Sequence, residues 1–473
     1  MIKPDDEWGV QIAPLVNALK PAAVEKTQAG YQDWPFAILF VVNIGVISIL
    51  MATWGVKAVE NNDDLDDLLS GNDMKAVVGI ASGLAVIAMF LALMMTKVIA
   101  SYARGVIMFV LVFNLVAAVA VAVIGIAIAD MFLTTIGVVI AALSYCYVRS
   151  VKPRIPLAVA HLRVAAAATA KSESIYAVSL VFAIVQCVWV VVWGLALLGV
   201  AYKIAEKSSG TTSDESAGKT SRGTSWPYFF LLLSFYWGVQ VFKNIVHTTV
   251  AGTVATFWYH TESASAVGAS LKRAMTTSFG SICFGSLVVA ILQTLHASAK
   301  QSRKRGGVGA CLAECVLSWL ETIMEYLNRW AYVYVGVYGY SFMKAGSAVS
   351  HLFRQRGFSA FFNGDLVRIV IRFTAIGVGL ICACFGAMIA ELTDAVKFQG
   401  STAVLTIIGF VVGTGVAFTP LAVISSSVAT IFVCFAEDPV SFQRSHPELY
   451  APLVEGWHNL HPELMVQAGY WHA

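Results

Sequence analysis

Long unbroken apolar segments constrain this chain more than any other feature of its sequence. Of its 473 residues, 58% are hydrophobic and only 12% are charged, whereas a soluble domain typically carries about 25% charged residues. Bilayer hydrocarbon is about 30 Å thick, so a helix needs roughly 20 mostly apolar residues to cross it. Stretches of that kind occupy residues 35–56, 76–98, 105–128, 131–148, 174–201, 227–258, 276–297, 366–393 and 402–436. We therefore predict an all-α, polytopic helical membrane protein with about ten transmembrane helices.

The charges of the loops predict the orientation, because lysine and arginine accumulate in short cytoplasmic loops. Residues 57–75 hold six acids and two lysines and are predicted to lie outside, whereas residues 149–173 hold five basic residues and one acid and are predicted to lie inside. Both termini are then cytoplasmic. The predicted organisation is a cytoplasmic tail, a helical scaffold of about five spans, an extracellular loop, a helical region with the solute path and a second cytoplasmic tail: residues 1–34, 35–201, 202–226, 227–436 and 437–473.

The basic run KQSRKR at residues 300–305 conflicts with this arrangement. A run this basic is expected in the cytoplasm. The run lies outside the cell if residues 227–258 cross the membrane once and residues 276–297 cross it back. A hairpin in 227–258 that turns near Lys243 and Asn244 removes the conflict, and we favour it on these grounds.

The segment FKNIVHTTVAGTVATFWYH, residues 242–260, is apolar but has a polar face. Residues three and four apart are neighbours on a helix, so Gln240, Lys243, Asn244 and His247 share one side. Such side chains can hold helices together through hydrogen bonds. They can also line a solute path, because ionisable groups within spans are costly and usually functional. Both interpretations stay open from the sequence.

The second half of the chain holds more ionisable residues within its apolar segments than the first half. Arg368 and Arg372 are expected at a cytoplasmic entry and Glu391 near the outer boundary. Glycine-rich runs such as GFVVGTGVAFTP, residues 409–420, are expected to break helices, and broken helices are where transporters place substrate sites. We therefore predict that the C-terminal half contains the solute path.

The segment NRWAYVYVGVYGYSFMKAG, residues 328–346, is dense in aromatic side chains. Aromatic residues concentrate at membrane interfaces, so a helix lying in the headgroup region is the favoured interpretation. The alternative is an aromatic cage for an organic cation. A quaternary ammonium group binds to the faces of aromatic rings, with about 0.5–2 kcal/mol for each good contact.

Five segments together resemble the choline transporter-like family, in particular its compact branch from fungi, plants and protists. They are FKNIVHTTVAGTVATFWYH, SFGSICFGSLVVAILQ, LNRWAYVYVGVYGYSFMKAG, HLFRQRGFSAFFNGDLV and CFAEDPVSFQRSHPELY. The resemblance implies a ten-helix, multi-pass plasma-membrane protein that moves choline or a related amine without sodium. Two features depart from the animal members. The first loop is short and without a glycosylation sequon, and the pair Lys243 and His247 stands before the small-residue ridge. A cationic Lys243 beside a cationic solute would repel it.

The resemblance makes a facilitative transporter of a small organic cation the favoured function, in contact with membrane lipids. Aromatic faces would hold the cation, Glu391 would supply the counter-charge, and His247 could couple transport to protons. The candidate substrate-binding residues are Trp237, Gln240, Asn244, His247, Trp258, Tyr259, Tyr338 and Glu391.

Other classes of function have less support in the sequence. No H-E-x-x-H pattern is present, and we predict no catalytic residue, metal or cofactor. The net charge of +3 is spread along the chain, so no nucleic-acid partner is expected. A non-transporting membrane scaffold or regulatory protein is the alternative. Its basic run 300–305 would attract anionic lipid, and Cys311 and Cys315 could be palmitoylated.

Overall fold

The computed structural model describes residues 30–60, 72–209, 225–259, 265–303, 308–355, 366–393, 400–460 and 462–467. All regular elements among these residues are helical. In chain order they are α1 Trp34–Leu50 with a π-helical turn Met51–Gly55, α2 Val56–Glu60, α3 Asn72–Ala127, α4 Met131–Val151 with a 3₁₀ turn Lys152–Arg154, α5 Ile155–Ala170, α6 Ser174–Ser209, α7 Ser225–Tyr259, α8 Ala266–Met275, α9 Phe279–Arg303, α10 Val308–Tyr338, α11 Phe342–Gln355, α12 Leu366–Leu392, α13 Ser401–Glu437, α14 Pro439–Ser445, α15 Pro447–Leu460 and α16 Pro462–Gln467. The predicted tail before residue 30, most of the loop 202–226 and residues 304–305 of the basic run lie outside the described residues.

The prediction of an all-α polytopic membrane protein is confirmed. Within the described residues, eight helices are long and apolar enough to cross a membrane. One of them covers Ala76–Ala127, about 78 Å if straight, which is far longer than one crossing needs. Tyr102 has non-helical backbone angles and divides this helix. We therefore count it as two crossings.

Helix α10 supplies a further crossing, because it runs antiparallel to α9 over the whole length of α9. Near the start of α9, the Tyr332 hydroxyl donates to the carbonyl oxygen of Ile282 at 3.2 Å. At the other end, Arg303 Nε lies 3.0 Å from Glu314 Oε2. A helix that follows a membrane-spanning neighbour along its full length spans as well, so the total agrees with about ten.

The hairpin predicted near Lys243 and Asn244 is wrong. Helix α7 is continuous from Ser225 to Tyr259. The side-chain amide of Asn244 donates a hydrogen bond to Ser286 Oγ on the neighbouring helix α9 at 3.0 Å. This polar side chain therefore has a partner within the bundle without any break in α7. The polar residues of this segment therefore sit on the flank of an unbroken helix.

The continuous α7 fixes the position of the basic run relative to the rest of the chain. We name the end of the bundle that holds Tyr259 and Tyr338 the tyrosine end, and the end that holds Ser225 and Arg303 the far end. Helix α9 begins near the tyrosine end, where Ser281 Oγ donates to Asp33 Oδ2 at 2.7 Å. Lys300 and Arg303 therefore lie at the opposite end from Asp33, so the basic run and the N-terminal tail cannot both be cytoplasmic as we predicted.

The glycines of α13 serve close packing rather than a break. Helix α13 is continuous from Ser401 to Glu437, with Pro420 inside it. A Cβ atom on Gly409 would lie 2.5 Å from the carbonyl oxygen of Cys382 on α12. The expectation of a broken helix over residues 409–420 is therefore wrong, because the missing side chains bring α12 and α13 into contact instead.

The tyrosine-rich segment lies inside the bundle, so the interfacial interpretation of residues 328–346 is wrong. Trp330, Tyr332 and Tyr334 are 7%, 1% and 2% exposed. They belong to the same hydrophobic core as residues of α3, α5, α7 and α13. The first half of α10 is the more exposed half, and the second half packs between α7, α9 and α13.

Asp33 joins the first helix to two later elements at the tyrosine end. Its Oδ2 atom accepts hydrogen bonds from Ser281 Oγ at 2.7 Å and from the backbone N–H of Phe342 at 2.9 Å. Phe342 is the first residue of α11, whose first N–H groups have no partner within the helix. Asp33 therefore caps a helix that is distant in sequence.

Candidate functional site

Two side chains on one face of α7 bind helix α9. Trp237 Nε1–H donates to the carbonyl oxygen of Cys283 at 3.0 Å, and the Asn244 amide donates to Ser286 Oγ at 3.0 Å. Trp237 and Asn244 are both buried. Buried polar groups with partners hold neighbouring helices in register. These contacts favour the helix-linking interpretation for both residues.

Gln240 begins a hydrogen-bond chain that crosses three helices. Gln240 Nε2 donates to Gln293 Oε1 at 3.2 Å, and Gln293 Nε2 donates to Glu325 Oε1 at 3.2 Å. The chain runs from α7 through α9 to α10 and ends on a carboxylate that is exposed. It orients the Glu325 side chain.

His247 has a hydrogen-bond partner at each ring nitrogen. Nε2 lies 2.9 Å from the carbonyl oxygen of Arg329, and Nδ1 lies 2.6 Å from Ser426 Oγ. A carbonyl oxygen only accepts, so Nε2 carries the proton. In the neutral ring, Nδ1 then accepts a hydrogen bond from the Ser426 hydroxyl. His247 therefore ties α7 to α10 and α13 in a defined tautomer.

Lys243 lies on the polar side of α7, one helical turn before His247. Its side chain is exposed, whereas that of the neighbouring Asn244 is buried.

Three arginines lie on α10 and α12, namely Arg329 on α10 and Arg368 and Arg372 on α12. Arg329 and Arg368 are half-buried, and Arg372 is exposed. Arg329 Nη2 donates to the carbonyl oxygen of Ser425 on α13 at 3.0 Å, so part of its function is to join α10 to α13. The expectation that Arg368 and Arg372 lie at a cytoplasmic entry stays a prediction.

Four tyrosines from α7 and from the end of α10 meet at the tyrosine end. We name Tyr259, Tyr334, Tyr338 and Tyr340 the tyrosine cluster. The ring centroids of Tyr334 and Tyr338 lie 5.4 Å apart, and those of Tyr338 and Tyr340 lie 5.6 Å apart. The hydroxyl oxygens of Tyr259 and Tyr338 lie 3.2 Å apart. Rings at this spacing present several electron-rich faces within a small volume.

A carboxylate joins the tyrosine cluster. Glu437, the last residue of α13, accepts a hydrogen bond at Oε1 from the Tyr334 hydroxyl. Its side chain is half-buried. Ring faces together with a carboxylate form the environment that suits an organic cation, because both attract positive charge.

Trp258 lies next to the tyrosine cluster but faces the core. It is 0% exposed, its ring stacks on Phe442 with centroids 4.1 Å apart, and Nε1–H donates to the carbonyl oxygen of Asp438 at 2.9 Å. The Ser445 hydroxyl donates to the Trp258 carbonyl oxygen at 2.9 Å. These contacts hold α14 against the end of α7.

His446 extends the packing of α14 beyond the spans. Its ring lies 4.0 Å from that of Phe257, measured between centroids. Burial lowers the pKa of His446, while Glu448 acts in the opposite direction. The neutral ring is therefore the form that packs. Its contribution to stability is present at neutral pH and is lost as the pH falls through the range in which an unfolded histidine takes up a proton.

Glu391 does not lie near the other candidate residues. It lies exposed near the end of α12, where its Oε1 atom accepts a hydrogen bond from Thr402 Oγ1 at 2.9 Å. Helix α12 runs antiparallel to α13, because Gly386 packs against Leu405 and Gly379 against Thr414. Glu391 therefore lies near the start of α13, and Glu437 lies at its other end.

Glu437, Tyr334 and Tyr340 were missed among the candidate residues of the sequence. Glu437 and Tyr334 lie in segments that carry the family resemblance, CFAEDPVSFQRSHPELY and LNRWAYVYVGVYGYSFMKAG. The available signal was an acid at the end of a 37-residue apolar helix, followed directly by Asp438 and Pro439. Which tyrosines this acid meets depends on the pairing of α10 with α13.

The matching family model is described as plasma-membrane choline transporter, and it covers residues 136–440. That range includes α7, α9, α10, α12, α13 and the whole tyrosine cluster with Glu437.

The chain belongs to this family.

Fungal and amoebal proteins are similar to this chain over longer stretches than the family model covers. Protein PNS1 of Eremothecium gossypii is 29% identical over 463 residues, which cover 90% of this chain and 82% of that protein. Protein PNS1 of Mycosarcoma maydis is 33% identical over 329 residues, covering 67% of this chain and 61% of that protein. A CTL-like protein of Dictyostelium discoideum is 28% identical over 433 residues, covering 89% of this chain and 74% of that protein.

Proposed function

We propose that this protein is a plasma-membrane transporter of choline or a closely related organic cation, and that the tyrosine cluster with Glu437 binds the cation. The description of the family supports the substrate class. The observation that carries the proposal is the carboxylate of Glu437 among tyrosine rings at the end of a membrane-spanning helix.

The chemistry of the cluster matches a quaternary ammonium group. Such a group has no hydrogen to donate, so ring faces and a carboxylate are its natural partners. Tyr259 and Tyr338 stay in the proposed site, and Tyr334, Tyr340 and Glu437 join them. The contacts of Trp237, Asn244 and Trp258 within the bundle support a structural role for those three.

An ammonium group already lies on one ring of the cluster. Lys344 Nζ is 4.5 Å from the centroid of the Tyr340 ring. Helix α11, which contains Lys344, packs against α10 next to the cluster. This contact supports the affinity of these rings for positive charge. In the proposed mechanism, a solute cation reaching Tyr340 competes with Lys344 for that ring.

Competition by an uncharged isostere tests the substrate class. In 3,3-dimethyl-1-butanol, carbon replaces the choline nitrogen, so the shape is kept and the charge is lost. We expect purified protein in vesicles to take up labelled choline, with competition by excess unlabelled choline and at least about tenfold weaker competition by the isostere. The same assay on Tyr338→Leu is expected to show weaker uptake, because one ring face is lost.

Two results of the uptake assay would contradict the proposal. One is choline uptake no greater than that of protein-free vesicles, which would favour the scaffold function. The other is equal competition by choline and the isostere, which would mean that the charge is not recognised. Leu327→Ala, an exposed position on the same helix, is the matched control for Tyr338→Leu and is expected to transport normally.

We further propose that the tyrosine end faces the cytoplasm. Helix α5 packs near this end, where the His161 ring lies 5.6 Å from that of Trp457 on α15. The basic residues from the last turn of α4 to the start of α6 lie at the same end, namely Arg149, Lys152, Arg154, Arg163 and Lys171. Basic residues in short loops favour the cytoplasmic side. The run around Lys300 then lies outside as an exception to that tendency.

Cysteine labelling tests this orientation. We expect Ser302→Cys to react with a membrane-impermeant maleimide in intact cells, and Arg444→Cys at the tyrosine end to react only after permeabilisation. The background would replace the five exposed cysteines, Cys146, Cys187, Cys311, Cys315 and Cys384. The reverse pattern would invert the orientation, and labelling of both positions from one side would contradict the single crossing of α9.

A further inference from the structure

We propose that Asp33 is a positioning residue for the cation site, because its carboxylate holds the turn that carries Tyr340 and Lys344. The inference rests on the proposed function of the tyrosine cluster. Asp33 lies 309 residues before Phe342 in the chain and outside the residues that the family model matches. Its role links the start of the first helix to the affinity for the solute.

The carboxylate of Asp33 binds other helices instead of its own. Asp33 is the N-cap residue of α1, a position at which an aspartate usually accepts hydrogen bonds from the first turn of the same helix. Its side chain makes no such bond. The Oδ2 atom instead accepts from Ser281 Oγ on α9 and from the backbone N–H of Phe342 on α11. Both hydrogen bonds go to this one oxygen atom.

The backbone around Asp33 is held against the start of α9. The N–H of Gln32 donates to the carbonyl oxygen of Thr277 at 3.0 Å, and a Cβ atom on Gly280 would overlap the carbonyl oxygens of Gln32 and Asp33. Asp33 has a φ of 51°, which is uncommon for a residue other than glycine. A backbone of this kind persists where its surroundings fix it. The carboxylate therefore reaches α11 from a defined position.

The turn between α10 and α11 carries two groups of the cation site. Helix α10 ends at Tyr338 and α11 begins at Phe342, and Gly339 supplies the left-handed turn with a φ of 69°. Tyr340 lies two residues before Phe342, and Lys344 lies two residues after it. The Lys344 Nζ atom is 4.5 Å from the centroid of the Tyr340 ring. The hydrogen bond to the N–H of Phe342 therefore holds the chain midway between these two groups.

The Phe342 side chain supplies the other half of this anchor. It is buried, and its ring centroid lies 5.6 Å from that of Phe284 and 5.6 Å from that of Tyr332. Packing of the ring fixes where α11 begins, and the hydrogen bond from its N–H to Asp33 fixes the direction of the first turn. Binding groups act together only when supporting contacts fix their positions. Loss of the carboxylate is thus expected to leave Tyr340 and Lys344 less well oriented.

Asp130 is the matched control for a purely structural cap. It is the N-cap residue of α4, and its Oδ1 atom accepts from the backbone N–H groups of Phe132 and Leu133 at 2.9 and 3.0 Å. Each aspartate caps the start of one helix with a single oxygen atom. Only the helix that Asp33 caps follows directly on the tyrosine cluster. A general effect of losing a cap would therefore be the same at both positions.

Uptake of labelled choline by the purified full-length protein in vesicles tests the proposal. The variants are Asp33→Gly, Asp33→Asn, Asp130→Gly, Tyr340→Leu and the double variant Asp33→Gly/Tyr340→Leu. Glycine and asparagine both tolerate the left-handed backbone of residue 33, so these substitutions favour a folded protein. Asparagine also keeps a side-chain oxygen that can accept both hydrogen bonds. The midpoint of thermal unfolding provides the check on folding.

We expect Asp33→Gly to raise the half-saturating concentration of choline by about fivefold, as for the weakening of one cation–π contact. Asp33→Asn and Asp130→Gly are expected to match the wild-type protein. The double variant is expected to raise the half-saturating concentration by less than the product of the two single effects, because Asp33 acts through Tyr340. A cap with a purely structural role would not produce this coupling.

Three results would overturn the proposal. Normal wild-type uptake with an unchanged half-saturating concentration in Asp33→Gly would overturn the inference alone. So would an equal rise in Asp130→Gly, or effects of Asp33→Gly and Tyr340→Leu that multiply fully. Absence of choline uptake by the wild-type protein would overturn the proposed function, and this inference with it.

Discussion

Replacement of Glu437 by glutamine is expected to raise the half-saturating concentration of choline by at least about tenfold. A carboxylate about 4 Å from a cation contributes roughly 4 kcal/mol at an effective dielectric constant of about 20, and loss of about a third of that energy already corresponds to tenfold. Glutamine keeps a side-chain oxygen that can accept the hydrogen bond from Tyr334. The substitution therefore removes the charge with little change to the packing. Initial rates of labelled choline uptake into vesicles provide the measurement.

Glu391→Gln is the matched control for this experiment. Glu391 is also an acid near the end of a membrane-spanning helix, and its Oε1 atom accepts one hydrogen bond, from Thr402. We expect uptake by Glu391→Gln to equal that of the wild-type protein. Normal uptake by Glu437→Gln would remove the tyrosine cluster from the transport mechanism. Normal uptake by Glu437→Gln together with lost uptake by Glu391→Gln would return the cation site to the far end.

A single methyl group at Gly409 is expected to destabilise the protein by about 1–3 kcal/mol. In Gly409→Ala, the new Cβ atom would lie 2.5 Å from the carbonyl oxygen of Cys382 and 3.1 Å from the Cα atom of Ala383. Both atoms belong to the backbone of α12, so no side chain can rotate to make room. The two helices must separate, and the close packing between them is lost. The midpoint of thermal unfolding in detergent is expected to fall.

The contrasting variant lies on the same helix. Gly415 has no atom within 4 Å of a Cβ built on it, and alanine is a better helix former than glycine by about 1 kcal/mol. We therefore expect Gly415→Ala to unfold at the same temperature as the wild-type protein or higher. If Gly409→Ala were as stable as Gly415→Ala, α12 and α13 would not pack as closely as described.

The polar face of α7 could be predicted from the sequence, but its partner helices could not. Helical spacing placed Gln240, Asn244 and His247 on one side of α7, because a helix repeats every 3.6 residues whatever surrounds it. It left open whether that side joins helices or lines a solute path. The spacing contains no information on the partner helix. The bonds to Gln293, Ser286 and Ser426 depend on how the chain returns after α7, and only the tertiary structure shows them.

The sequence around Glu391 and Glu437 does not distinguish the two acids. Each lies at or near the end of a long apolar helix. The antiparallel pairing of α12 with α13 puts them at opposite ends of the bundle. Helix α10 runs parallel to α13, so the tyrosines at the end of α10 lie next to Glu437 and far from Glu391.

Residue patterns alone were enough to predict an all-α membrane protein and to find the resemblance to choline transporter-like proteins. The length of an apolar segment can be counted from consecutive residues. A segment of about 20 such residues is long enough to cross the hydrocarbon as a helix. Only the folded chain shows that α7 is unbroken, that the glycines of α13 join helices, and which tyrosine meets Glu437. Those outcomes follow from contacts between segments far apart in the chain, where close packing and hydrogen bonding between helices outweigh the charge of any single loop.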